Sequence, residues 1–121
     1  MECLFCKIIN GEIPAYKVYE DNIVLAFLDI SPDSNGHTLI IPKKHYLDLD
    51  DIDMETLSHI MGVAKKLKKL LEEKLNIDGL TLIQNSGKIQ EVKHFHLHLK
   101  PYYKDKQELI DIKETYKKLQ D

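Results

Sequence analysis

Three histidines, His94, His96 and His98, alternate with Phe95, Leu97 and Leu99 near the C-terminal end of the chain. In extended backbone, side chains at i, i+2 and i+4 leave the same face, so this spacing sets three imidazoles in one row and turns the apolar residues into a core. Such a row is unfavourable near neutral pH, because two protonated rings repel and a charged ring is costly to bury. Imidazole also titrates near physiological pH, ligates metals and can act as a nucleophile, which gives the row a use. Two chemistries fit: the row holds a metal, or it handles a phosphate with one histidine as nucleophile and the others as donors.

A second constellation is Cys3-x-x-Cys6. The spacing suits one half of a tetrahedral zinc site completed by histidines elsewhere, and it suits inert buried thiols equally well. A redox role would need the pair to follow a strand, and no strand can precede residue 3. His45, three residues beyond Pro42, is an available partner, whereas His59, between Leu57 and Ile60, reads as a surface residue of a helix. Asn85-Ser86-Gly87, followed by Gln90, is a glycine turn whose N–H groups and amides could meet phosphate oxygens.

The elements that must position these groups follow from periodicity. Leu4, Phe5, Ile8 and Ile9 predict a short helix stopped at Asn10-Gly11. Residues Lys17 to Glu20 and Ile23 to Leu28 predict two strands around an Asp21-Asn22 turn. A third strand covers His37 to Ile41 and ends at Pro42, after a loop rich in Pro, Asp, Ser, Asn and Gly. Leu57, Ile60, Met61, Ala64, Leu67, Leu71 and Leu75 recur at threes and fours and predict a long helix, with Asp53 as its N-cap and Asn76 near its stop. The lysines at 65, 66, 68 and 69 lie mostly off that stripe and read as a solvated face. Leu80 to Gln84 and His94 to Leu99 predict the fourth and fifth strands, and Leu109, Ile112, Tyr116 and Leu119 the stripe of a short C-terminal helix. The order predicts one α+β domain over 1–121: a five-stranded antiparallel sheet, one long helix and short terminal helices.

At 121 residues the chain can bury roughly two-thirds of its unfolded surface. Its hydrophobic fraction of 43% and charged fraction of 31% are those of a globular domain, and no apolar run approaches the roughly 18 residues of a membrane span. Met1 to Cys6 has neither a basic region nor an apolar core of a signal peptide, which predicts an intracellular, cytoplasmic protein with no membrane partner. The formal charge of −3 argues against affinity built on neutralising nucleic-acid phosphates, though not against a small anionic ligand. Both cysteines fall in the first six residues, and reduced cytosolic thiols make a structural disulfide unexpected.

Taken together, the motifs resemble the histidine triad family of nucleotide-binding proteins, especially its nucleoside phosphoramidase branch. The resemblance rests on His94-x-His96-x-His98, on Cys3 to Ile9 with Glu12-Ile13-Pro14, on Phe27 to Pro32, and on His37 through His45, in that family's order. It implies that His96 attacks the α-phosphorus of a purine nucleoside phosphoramidate or aminoacyl-type adenylate, giving a nucleotidyl-histidine that water hydrolyses. One ring nitrogen of that nucleophile would be pinned by a main-chain carbonyl near His94. His98 would assist at the phosphate and leaving group, His37 would complete the polar cluster, and Asn85, Gln90 and backbone N–H groups would meet phosphate oxygens. Asp29 resembles the carboxylate that accepts from the ribose hydroxyls, and Leu4, Phe5, Ile8, Phe27 and Ile30 resemble the apolar slot for the base.

The same resemblance implies zinc bound by Cys3, Cys6, His45 and His94, and a homodimer that extends the sheet. The chain departs from the family in a loop two residues shorter between Asn85 and Gln90, in Ile89 where a glycine is expected, and in Glu91 where many members place Ser or Thr. Cleavage of dinucleoside polyphosphates, and a zinc-stabilised nucleotide-binding module with incidental turnover, are the competing functions.

Overall fold

The computed structural model describes residues 3–121; Met1 and Glu2, where the stretch read for a signal begins, lie outside the described residues. The two most continuously apolar runs make the centre of the sheet. Strands β2 (Val24–Leu28) and β3 (Thr38–Pro42) are buried along their whole length, on both faces. Around them lie β1 (Lys17–Glu20), β4 (Gly79–Gln84) and β5 (Leu97–Tyr102), in the order β1-β2-β3-β5-β4 with every neighbouring pair antiparallel. The expected antiparallel α+β architecture is therefore the one observed.

Helix α2 (Met54–Leu75) covers one face. Its Ile60, Val63, Ala64 and Leu67 pack on Val24, Ala26, Ile40, Phe95, Leu97 and Leu99. The other face is closed by the short helix α1 (Leu4–Ile9), whose Phe5 and Ile8 join Leu25, Phe27, Leu39 and Ile41. A third cluster seats Leu119 of α3 (Ile112–Gln120) against Leu28 and Leu71. Asp53 caps α2 at its start, and Asn76 ends it in the left-handed region at φ 52°. Lys65, Lys66, Lys68 and Lys69 are exposed, as their offset from the stripe requires. Among the described residues no helix is long and apolar enough to cross a membrane.

Several boundaries differ from the periodicity. The fifth strand starts at Leu97 rather than His94, because the Phe95 N–H donates to the Tyr46 carbonyl and the His94 N–H to Val92, leaving no ladder there. The alternation nevertheless holds: Phe95, Leu97 and Leu99 face α2, while His94 and His96 meet Phe5 on the opposite face. His37 and Ile23 likewise fall just outside their strands. On α2, Met61 is exposed and Val63 takes the inward place. Leu109 precedes α3, which starts at Ile112 after Asp111 caps it. His59 is half-buried, with Nε2 2.7 Å from an Asp21 carboxylate oxygen, so it ties α2 to the β1–β2 turn.

Two features hold the loop that delivers His37. Gly36 has φ 95°, and a Cβ there would meet a Leu75 methyl at 2.6 Å, so the chain passes close over α2 where only glycine fits. Buried Asn35 donates to the Glu108 carbonyl and accepts from the Ile110 N–H, while its own carbonyl accepts from the Tyr103 hydroxyl. The segment leading to α3 thereby braces the loop.

Candidate functional site

Each imidazole of the row has a different partner, and the partners assign the protons. His96 Nδ1 lies 2.7 Å from the His94 carbonyl. A carbonyl can only accept, so Nδ1 carries the hydrogen and Nε2 carries the free lone pair. His94 is arranged the other way: its Nε2 donates to the Pro42 carbonyl at 2.8 Å, which leaves Nδ1 as the bare nitrogen. That nitrogen lies 3.4 Å from Cys3 Sγ and 3.6 Å from Cys6 Sγ, and His45 Nδ1 is 3.3 Å from Cys6 Sγ.

The Cys3, Cys6, His45 and His94 donor atoms all fall within 4.8 Å of one another. A tetrahedral zinc with Zn–S near 2.3 Å and Zn–N near 2.0 Å would hold its sulfur and nitrogen ligands roughly 3.5 Å apart, which these spacings match. The four residues could hold a metal. Burial, with the adjacent Cys3 thiol second, pushes the Cys6 thiol up to about 11, so this sulfur ionises near neutral pH only when a cation joins it. Burial first, and the neighbouring His45 and His96 rings after it, also hold His94 down at about 4, in the neutral form a metal ligand requires.

The remaining histidines form a relay. The Asp33 N–H donates to His37 Nδ1 at 3.1 Å, which places the His37 hydrogen on Nε2. That N–H donates to His98 Nδ1 at 2.9 Å, and the His98 hydrogen must then sit on Nε2. Burial drives His37 down, and burial followed by the nearby His96 and His37 rings takes His98 to about 4. Asp29, His37 and His98 also bring ligand atoms within 4.8 Å. A metal there would have to displace the His37 Nε2 hydrogen and break the Asp33 bond, so this cluster is built for a proton while the first is built for a cation.

The relay opens on a cleft of about 500 Å³. His96, His98 and His37 line it with Asp29 and Asn85, and so do Leu4, Phe5, Ile8, Phe27 and Ile30. Phe5 stands edge-on to both His96 and Phe27, at 5.1 and 5.6 Å between ring centroids. Leu4 is 47% and Ile30 80% exposed, so the lips carry apolar surface that the fold itself does not bury. Asp29 accepts from the Ser31 N–H with one oxygen and places the other 3.6 Å from His37 Nε2.

A family model described as HIT domain matches residues 10–105, most of the chain. The chain belongs to the HIT family. It is 50% identical over 116 residues to an uncharacterized HIT-like protein of Methanocaldococcus jannaschii, covering 93% of this chain and 88% of that one. It is 47% identical over 110 residues to the adenosine 5'-monophosphoramidase HNT1 of Saccharomyces cerevisiae, covering 89% of this chain and 67% of that protein. Its fold superposes on a Zn-bound histidine triad family protein from Mycobacterium smegmatis with a TM-score of 0.91 and 37% identity, over 98% of this chain and 91% of that one.

One expected site residue of this HIT protein stands apart. Gln90 does not line the cleft; it is 3% exposed, and its Nε2 donates to the Leu47 carbonyl at 2.6 Å. The short Asn85 to Gln90 segment folds as a single 3-10 turn, Gly87–Ile89, which directs Gln90 inward to brace the Leu47 loop. The cleft is completed instead by Ser31, Asp33, Ile89, Glu91, Val92 and Lys100, none of which the motifs select as ligand-binding. Lys100 carried a usable signal, since it continues the alternation of His94, His96 and His98.

The neutral His98 has a consequence for stability. In the unfolded chain this ring takes up a proton as pH falls below about 6.5, whereas the folded chain resists until about 4. Stability is therefore complete above the unfolded value and lost as pH falls through this window, because the unfolded state binds the extra proton. Urea midpoints measured from neutral pH downward are expected to fall less steeply in His98→Gln than in wild type.

Proposed function

We propose that this HIT protein is a nucleotide-binding hydrolase acting at the α-phosphate of purine nucleoside phosphoramidates or aminoacyl-type adenylates, through a nucleotidyl-histidine on His96. The observation that carries the proposal is the His96 ring itself: buried, held at Nδ1 by the His94 carbonyl, and left with a lone pair at Nε2 in a cleft. A neutral imidazole so held attacks without prior deprotonation. The new bond joins Nε2 to phosphorus as the P–N bond breaks. The bond pair leaves with the nitrogen, which takes up a proton from solvent and departs as a neutral amine, and the positive charge stays on the His96 imidazolium until attack by water releases a proton to solvent. Water then displaces His96, yields the nucleoside monophosphate and returns that proton.

In this reaction His98 offers its Nε2–H to a phosphate oxygen or to the departing group, and Asn85 adds a polar contact. Asp29, with one oxygen uncommitted to the backbone, accepts from the ribose hydroxyls, and the base rests between the apolar lips. Zinc is the metal that suits the two thiols and two imidazoles; its chemistry there is structural, joining α1 to the segment that carries His94. We further propose a cytoplasmic homodimer in which the sheet continues from one copy to the other, with neither nucleic acid nor membrane as partner.

The charge lining the cleft favours a phosphoramidate over a dinucleoside polyphosphate. Asp29, Asp33 and Glu91 line it against the single Lys100, which is itself ion-paired to Asp33, so a ligand of high negative charge meets repulsion. Adenosine 5'-phosphoramidate and diadenosine polyphosphates assayed side by side test this. The phosphoramidate is expected to show the higher kcat/KM. A preference for the polyphosphate would reverse the assignment, and AMP binding without turnover of either would leave a nucleotide-binding module.

A further inference from the structure

Lys100 leaves β5 on the same face as His96 and His98 and reaches the cleft wall. Its ammonium lies 2.7 Å from the Asp33 carboxylate. Asp33 stands in the loop between β2 and β3 with its carboxylate 63% exposed, and its backbone N–H is the group that donates to His37 Nδ1. His37 donates in turn to His98. An ion pair at the cleft rim is therefore joined, through one backbone N–H and two imidazoles, to the hydrogen on His98 Nε2.

We propose that Lys100 and Asp33 are positioning residues, whose ion pair holds the Asp33 N–H on His37 and so keeps His98 in the tautomer that offers Nε2–H to the cleft. Without the pair, the Asp33 loop loosens and His37 is free to carry its hydrogen on Nδ1. Its bare Nε2 would then face His98 Nδ1, and His98 would turn its own hydrogen inward to meet it, withdrawing the donor from the cleft. No covalent bond changes in this exchange; each neutral ring keeps one hydrogen. The kinetic arm of the test rests on the proposed phosphoramidase activity, while the tautomer arm rests on geometry alone.

The full-length protein tests the proposal with Lys100→Met, Lys100→Arg and Asp33→Asn. Since the pair is partly exposed, Lys100→Met and Asp33→Asn are each expected to lower kcat for adenosine 5'-phosphoramidate roughly fivefold, with KM little changed, and Lys100→Arg to restore most of it. In a His98→Gln background, Lys100→Met should cause no further loss, because the donor that it positions is gone. An equal loss in both backgrounds overturns the proposal. Nitrogen-15 NMR of the imidazoles supplies the second arm and needs no turnover: wild type should carry hydrogen on Nε2 of both His37 and His98, and Lys100→Met should show shifts averaged between tautomers. Unchanged shifts overturn the proposal as well. A wild type that turned over no phosphoramidate would defeat the proposed function and leave the tautomer arm to decide.

Discussion

His96→Ala is expected to reduce phosphoramidate turnover by more than about a thousandfold, the scale on which removal of a covalent nucleophile is felt. No other ring in the row can replace it. His94 turns its bare nitrogen toward the thiols, and His98 has its only lone pair engaged by His37. The fold should survive, because the sheet centre on β2 and β3 lies outside the substitution; the local loss is a donor to the His94 carbonyl, about 1 kcal/mol. AMP affinity should change far less than kcat, since the proposed base and ribose contacts come from α1 and the Asp29 loop. Mass spectrometry of rapidly quenched wild type should find a nucleotidyl adduct that the variant lacks. Near-normal turnover by His96→Ala would end the mechanism.

Stripping the proposed metal is expected to give the second large effect. A site populated at about a hundred times its dissociation constant adds ~2.7 kcal/mol, so chelation should lower the melting temperature by roughly 10 °C for a domain of this size. Cys3→Ser and Cys6→Ser should reproduce the shift and abolish the response to chelator. The thiols cap and occupy the short helix α1, whose Phe5 also wedges against His96. His94 touches both centres, turning its bare ring nitrogen to the thiols and pinning His96 with its carbonyl. Activity should therefore fall with the metal, although no chemical step passes through it. Protein purified without added zinc or chelator should contain one metal per chain; its absence, or a melting temperature indifferent to chelator, would refute the assignment.

Much of the architecture is legible in local pattern because it depends on local geometry. The 3.6-residue stripe located α2, and Asp53 and Asn76 marked its ends. Extended backbone alternates whether or not it joins a ladder, so the histidine row kept one face even though β5 begins only at Leu97. Pattern failed where neighbours decide: Met61 and Val63 lie about 200° apart, on opposite flanks of the stripe, and the position of the sheet beneath chose Val63.

The roles within the row belong to the tertiary structure. His94 meets Cys3 across 91 positions of chain and Pro42 across 52, and His37 meets His98 across 61. Spacing supplied the imidazoles and the face they share. Which nitrogen of each is bare was decided by a carbonyl of Pro42, a carbonyl of His94 and an N–H of Asp33, backbone groups whose direction no side-chain pattern encodes. A neutral imidazole has one hydrogen and one lone pair, so these backbone dipoles sort otherwise identical rings into one whose bare nitrogen faces the thiols, one whose lone pair faces the cleft and one that offers its N–H there.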